Sequence, residues 1–236
     1  MTDRLERPLL ASAGGVDEFW AAVAPAWRDC FLLAWESFQA HSIPVGAVLV
    51  DAGETIVARG RNRWNETDVV AGQIGGSNLA HAEINALATL TPGDYSDHVL
   101  YSTLEPCFLC TAALRHSHIG AVRFAAPDPM WSGIDQLPTL NQHMARRWAR
   151  RQGPLGGPLQ TLAAVLHLVS ALERDIRTVV ECHETAMPDA LRVARKLAGP
   201  AADDLRAMTL PEALTTLWPT LVTSETVESA TLTGPG

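Results

Sequence analysis

Four residues near the middle of this 236-residue chain have the types and spacing for hydrolytic metal chemistry. His81 and Glu83 stand two apart, and Pro106-Cys107-Phe108-Leu109-Cys110 follows after a short interval. At i and i+3 in the first turn of a helix, Cys107 and Cys110 would present both thiols on one face. Pro106 suits a helix start, where a missing N–H costs nothing. Thiolates there are favoured by the free N–H groups and the positive end of the helix dipole. If His81 opens a neighbouring helix, one imidazole and two thiolates converge. They leave the fourth position of a tetrahedral zinc for water, as a catalytic site requires. Zinc lowers the pKa of bound water to about 7. Glu83 is close enough to take that proton without being a ligand, and can pass it to a ring nitrogen and then to a leaving amine. The bond broken would be the C–N bond of a cyclic amidine, with ammonia as product.

Competing uses of these residues explain less. A redox C-x-x-C gives His81 and Glu83 no role. A structural zinc site needs a fourth ligand, and the other cysteines, Cys30 and Cys182, lack paired spacing. Cys30 lies among Trp27, Phe31, Leu32, Leu33 and Trp35 and reads as a small core residue, as does Cys182. In an intracellular protein, C-x-x-C signals metal or redox chemistry more often than a structural disulfide.

The elements that must carry these residues follow from periodicity. Apolar and aromatic residues from Phe19 to Phe38 predict a long helix over 16–40, kinked or divided at Pro25. Its tryptophans read as core. Ile43–Asp51 and Thr55–Arg59 predict a hairpin closed by Asp51-Ala52-Gly53-Glu54. The stretch 60–79 holds no period and is punctuated by Gly72, Gly75 and Gly76, as in a functional or mobile loop. A helix over 80–90, a strand over 98–103, a helix over 107–117 and a strand over 121–126 follow. This order predicts a three-layer α/β/α sandwich on a mixed sheet. Residues 1–152 would form that core and 153–158 a Gly/Pro linker. Residues 159–236 would be a helical extension packed on the core or on a second subunit. The extension is expected to hold a long helix from Leu159 to Val180, shorter helices near 189–198 and 211–221, and a loose last dozen residues. Residues 140–151 also read as helix.

Hydrophobic residues make up 47% of the chain and charged ones 19%, enough apolar material for a sizeable core. Met1–Arg7 lacks the basic-then-apolar layout of a secretory signal, and no apolar run is long enough for a membrane span. A cytoplasmic protein with no membrane partner is expected. The net charge of −8 and the single lysine, Lys196, weigh against a large nucleic-acid partner.

The order H-x-E followed by P-C-x-x-C is the known signature of zinc deaminases. The chain resembles the cytidine deaminase superfamily, in the branch of guanine deaminases and tRNA-specific adenosine deaminases. The resemblance rests on Pro44–Val50, Gly60–Arg63, Ala80–Leu87, Tyr101–Cys110 and Arg115–Gly120, and covers roughly residues 16 to 150. It implies one zinc per chain held by His81, Cys107 and Cys110, proton transfer by Glu83, and a hydrogen bond from Asn62 to the substrate base. A loop cap is the plainer use of Asn62. Guanine deaminases of this branch carry an acidic residue after the fourth strand, and Asp128 or Asp135 could correspond; Asp128 could equally start a Pro-containing turn. Trp131 could stack on a planar base or cover core. The branch often forms homodimers. Two departures stand out. Gly76-Ser77-Asn78-Leu79 replaces the Asp-Pro-Thr common before Ala-His-Ala-Glu, and no fifth strand can be placed.

A small-molecule base or nucleoside, within nucleobase or nucleoside metabolism, is therefore the expected substrate. A tRNA adenosine deaminase is the rival, with Arg146, Arg147, Arg150 and Arg151 as its one basic cluster. A catalytically silent zinc-bearing interaction protein is the alternative from another class, and the intact Glu83 argues against it.

Overall fold

Two apolar runs separated by a turn form a hairpin. β1 (Gly46–Val50) and β2 (Ile56–Arg61) pair antiparallel, and Asp51 Oδ1 accepts from the Gly53 and Thr55 N–H groups to close the turn. In this computed structural model, residues 15–231 are described except residue 69, and side chains only as far as residue 223. Met1–Arg7 lies outside the described residues.

β1 also pairs antiparallel with β3 (Val99–Leu104), while β4 (Ala121–Ala126) and β5 (Arg150–Gln152) run parallel to β3. The sheet order is β2-β1-β3-β4-β5. β5 corrects the expectation of a helix over 140–151. Only two short helical turns form, α5 (Leu137–Leu140) and α6 (Gln142–Ala145), with Asn141 extended between them and its side chain capping the second. Arg150, Arg151 and Gln152 then pair with Ala121, Val122 and Arg123, and Arg151 forms an ion pair with Glu105. Backbone pairing and that ion pair outweigh the local helical pattern.

Helices cover both faces. Pro25 divides the first helical stretch into α1 (Val16–Ala22) and α2 (Pro25–Gln39), starting the second where proline is tolerated. α2 lies so close to β1 that a Cβ on Gly46 would sit 2.1 Å from the Cys30 carbonyl oxygen. On the opposite face, α3 (Ala82–Leu87) crosses β2, and a Cβ on Gly60 would be 2.2 Å from the Ala86 nitrogen and 2.3 Å from the Ala82 oxygen. α4 (Phe108–His116) packs beside α3. Gly60→Ala should therefore push α3 off the sheet and cost about 1–3 kcal/mol or more. Chemical denaturation would show a lower midpoint at an unchanged slope.

Beyond β5, residues 153–156 stay against the sheet, with Leu155 N–H donating to the Ala125 carbonyl. α7 (Gly157–Glu173) packs along β3 and β4 and touches α2. The helix expected to run to Val180 stops at Glu173. Asp175, at φ 50°, takes the left-handed position of a Schellman cap, with Asp175 N–H on Leu172 O and Ile176 N–H on Ala171 O. The chain then turns into α8 (Arg177–Ala186), α9 (Pro188–Leu197), α10 (Pro200–Arg206) and α11 (Leu210–Thr231). α10 lies where the periodicity predicts no element. α11 runs through much of the expected loose tail, because no glycine or proline follows Pro219 until Gly234; residues 232–236 lie outside the described residues.

One apolar cluster runs from Phe19, Trp27 and Trp35 through the sheet to Leu166, Leu191 and Leu221. Trp35 Nε1 donates to the Met208 carbonyl, and Arg206 joins Phe38 O to the Glu173 carboxylate. No described helix is long and apolar enough to cross a membrane.

Candidate active site

β2, β3 and β4 all end, and β1 begins, on the same side of the sheet. Ligands in open α/β sheets bind beyond such carboxyl ends. Asn62 follows β2, Glu105 and Cys107 follow β3, and Asp128 follows β4. The loop after Asn62 brings His81 to the same end. That loop is pinned: Glu66 pairs with Arg61 and Arg63, and the buried Asn85 amide bonds Ile74 N, Ile74 O and Arg61 O.

His81 is the N-cap of α3 and Cys107 the N-cap of α4, so both sit at positive helix ends. His81 Nδ1 lies 3.6 Å from Cys107 Sγ and 3.3 Å from Cys110 Sγ. Zn–S of about 2.3 Å and Zn–N of about 2.0–2.1 Å at a tetrahedral angle imply a sulfur–nitrogen separation of about 3.5 Å. Both sulfur–nitrogen separations match those around a tetrahedral ion, and all three donor atoms lie within 4.8 Å of one another. Hydrogen bonding from Cys110, together with His81, pulls the Cys107 thiol down to about 4. The neighbouring Cys107 and burial push Cys110 well above its ordinary value. The hydrogen bond to Cys107 raises His81 despite its burial. A cation needs both sulfurs as thiolates and the imidazole neutral, so metal binding would be coupled to proton release.

Glu83, in the first turn of α3, is 3% exposed. Its Oε1 accepts from the fully buried Ser102 hydroxyl at 3.0 Å, and its Oε2 faces Cys110 Sγ at 3.3 Å. Burial raises its carboxyl above the ordinary value. A carboxyl group held this way, beside three residues that could hold a metal ion, is suited to carry a proton in both directions.

These groups open on a cavity of about 240 Å³. Its lining includes Asn62, His81, Glu83, Asp128 and Trp131. Asn62 satisfies its cap reading too, since its Oδ1 accepts from Trp64 N–H at 3.0 Å; that leaves the Nδ2 donor for a ligand. Asp128 likewise starts a turn, with Oδ1 accepting from Met130 N–H. Its own N–H donates to Glu105 Oε2, tying the ends of β3 and β4 together. Trp131 meets Phe108 edge to face at 5.5 Å between centroids. Asp135 is not brought to the cavity. Its carboxylate is largely exposed and lies 3.0 Å from Arg151. The polar turn Ser132–Gln136 resolves into a separate short helical turn that points it outward.

The opposite wall comes from residues that sequence reasoning passed over: His167, Ser170 and Arg174 of α7 and its cap, with Ile176 and Val179 beyond. Arg174 stacks on the Trp64 ring at 3.8 Å, fastening α7 to the loop that carries His81. The available signal was a histidine inside the apolar run Val165–Val169.

The family model for the cytidine and deoxycytidylate deaminase zinc-binding region matches residues 25–126. A tRNA-specific adenosine deaminase of Rickettsia bellii is 30% identical over 113 residues, 46% of this chain and 72% of that protein. A tRNA(Ile)-lysidine synthase of Deinococcus radiodurans is 32% identical over 136 residues, 56% of this chain but 22% of that much longer protein. A solved guanine deaminase from Nitrosomonas europaea aligns over 64% of this chain and 86% of its own, at 22% identity and a TM-score of 0.47. The convergence of His81, Cys107 and Cys110 beside Glu83 lies within the matched segment, and the chain belongs to the zinc-binding cytidine and deoxycytidylate deaminase family.

Proposed function

We propose that the chain hydrolyses the exocyclic C–N bond of a small amino-substituted base or nucleoside, releasing ammonia. The observation that carries this reading is the cavity. Ligand pockets commonly measure about 300–1,000 Å³, and this one, at about 240 Å³, is walled by the C-terminal helices on the side facing the metal ligands. A planar ring fits such a space.

His81, Cys107 and Cys110 would hold zinc, which supplies Lewis acidity and so acidifies water at the site. Glu83 would receive the proton, deliver it to a ring nitrogen and then to the departing amine. Ser102 fixes one of its oxygens, and the other lies beside Cys110 Sγ. Asn62 Nδ2 would donate to an acceptor on the ring. Asp128 would offer Oδ2, and Trp131 an apolar edge. Asn62→Ala should lower kcat/KM by about 10- to 100-fold, the equivalent of losing about 1–3 kcal/mol at a buried hydrogen bond. Steady-state ammonia release would measure it; an unchanged kcat/KM would remove Asn62 from the substrate contacts.

Deamination of tRNA is the rival, favoured by the name of the Rickettsia relative. The arginines expected to serve it are scattered here. Arg151 is buried against Glu105, Arg146 and Arg147 border a separate surface hollow with Asp94 and His118, and none of the four lines the cavity. An ammonia-release screen over guanine, cytosine, adenine, their nucleosides, related amino-heterocycles and tRNA decides between them. Turnover of tRNA with affinity falling steeply as salt rises would overturn the small-molecule reading.

A further inference from the structure

Behind the cavity wall lies a second group of potential ligands, of which only Asp128 has a place in the deamination chemistry proposed above. Asp128, His167 and His183 each place one donor atom within 4.8 Å of the others. Asp128 follows β4, His167 lies in the middle of α7 and His183 near the end of α8, so three separate elements converge there. All three are at least nine-tenths buried, at 4%, 9% and 0% exposure.

Their hydrogen bonding is incomplete in a particular way. His183 Nδ1 lies 2.8 Å from the Val179 carbonyl, which can only accept, so the proton is on Nδ1 and Nε2 carries a lone pair. That Nε2 is buried with no partner. Both ring nitrogens of His167 are also buried without a partner. Asp128 spends Oδ1 on Met130 N–H, and the rest of its carboxylate remains uncommitted. Buried donors and acceptors are almost always paired, and each one left alone costs about 1–3 kcal/mol. Three nitrogens on two stacked helices break that rule beside an uncommitted carboxylate. The rings lie 5.7 Å apart, tilted by 48°, and do not bond each other. A histidine that fixes its tautomer on a backbone carbonyl and turns the other nitrogen inward has the arrangement of a metal ligand.

We infer that Asp128, His167 and His183 form a second divalent-cation site, separate from His81, Cys107 and Cys110 and set in the wall of the same cavity. Two imidazoles and one carboxylate suit zinc and other divalent first-row ions. Burial pushes the His167 ring below its ordinary value, toward the neutral form that can ligate. Arg174, at the end of α7 on the cavity side, is the charged group that opposes a cation there; its guanidinium is drawn aside over Trp64. Asp128 supplies the compensating negative charge. Asp128 and His167 also line the cavity, so the ion would stand where a substrate oxygen or nitrogen could reach it. The inference does not depend on which ring is deaminated.

The test counts metal in the full-length protein. The chain would be stripped with chelator, dialysed against Zn²⁺ or Co²⁺ and analysed by inductively coupled plasma mass spectrometry. The parent protein should carry two ions per chain, and His167→Leu and Asp128→Asn should each carry one. With cobalt, the near-ultraviolet absorption of thiolate ligation should persist in both variants, showing that the sulfur site and the fold survive. His167→Leu also removes an unpaired buried group, so metal-free protein bearing it should unfold at the same or higher denaturant concentration than the metal-free parent. One ion per chain in the parent at saturating metal would overturn the site. So would two ions retained in both variants, or loss of the thiolate absorption together with the second ion.

Discussion

Glu83→Gln should leave zinc on His81, Cys107 and Cys110 and reduce ammonia release by about 10²- to 10⁴-fold, the usual contribution of a positioned acid–base group. The substitution keeps size and shape. Its amide oxygen can still accept from Ser102, the contact that now holds Glu83 Oε1 at 3.0 Å. What it loses is the capacity to take up and return a proton. Because Glu83 is 3% exposed, bulk water or buffer cannot easily replace it. Metal content by mass spectrometry and turnover by a coupled ammonia assay should therefore separate, the first unchanged and the second nearly gone. Equal turnover in the two proteins would sink the proton-transfer role and with it the mechanism. Loss of zinc would instead mean that Glu83 is needed to build the metal site.

The second large effect concerns stability. Zinc binds the folded arrangement of His81, Cys107 and Cys110, so at about a thousandfold excess over its Kd it should stabilise the protein by about 4 kcal/mol. For a chain of this size that corresponds to a rise of about 8–16 °C in Tm. Cys110→Ala should remove this increment, because Cys110 is buried and its sulfur lies 3.3 Å from His81 Nδ1. Calorimetry of the parent and the variant, each with and without zinc, would measure the difference. If Cys110→Ala kept the whole zinc-dependent rise, this cluster would not be the deaminase metal site. Ammonia release should disappear in the chelated parent and return with zinc.

Much of this was legible because the relevant physics is local. The His81 and Cys107 helix starts depend on a few neighbouring residues, and short apolar runs bounded by turns reported the hairpin and the two strands that follow it. Asn62 and Asp128 each serve both uses weighed for them, capping a turn while lining the cavity. The failures have non-local causes. β5 forms because Arg150–Gln152 find the free edge of β4 and Arg151 finds Glu105, partners that no helical pattern reveals. Asp135 looked equivalent to Asp128 in sequence but faces outward toward Arg151. The wall supplied by His167, Ser170 and Arg174 was invisible because α7 reads as ordinary core helix; only its docking across β3 and β4 turns one edge toward the cavity that His81 and Cys107 also line.

That docking has a consequence for altering the protein. α7 supports the sheet through Leu162, Val165, Leu166 and Val169 while presenting His167 and Ser170 to the cavity. Core packing and cavity lining are thus carried by different residues of one helix. Enlarging the space for a bulkier ring by shifting α7 would loosen the whole molecule, whereas exchanging Ser170, which lines the cavity and is not part of the apolar cluster, should leave the sheet contacts in place. A laboratory search for new substrates should find its tolerated variants at that position, and its unfolded ones a turn earlier.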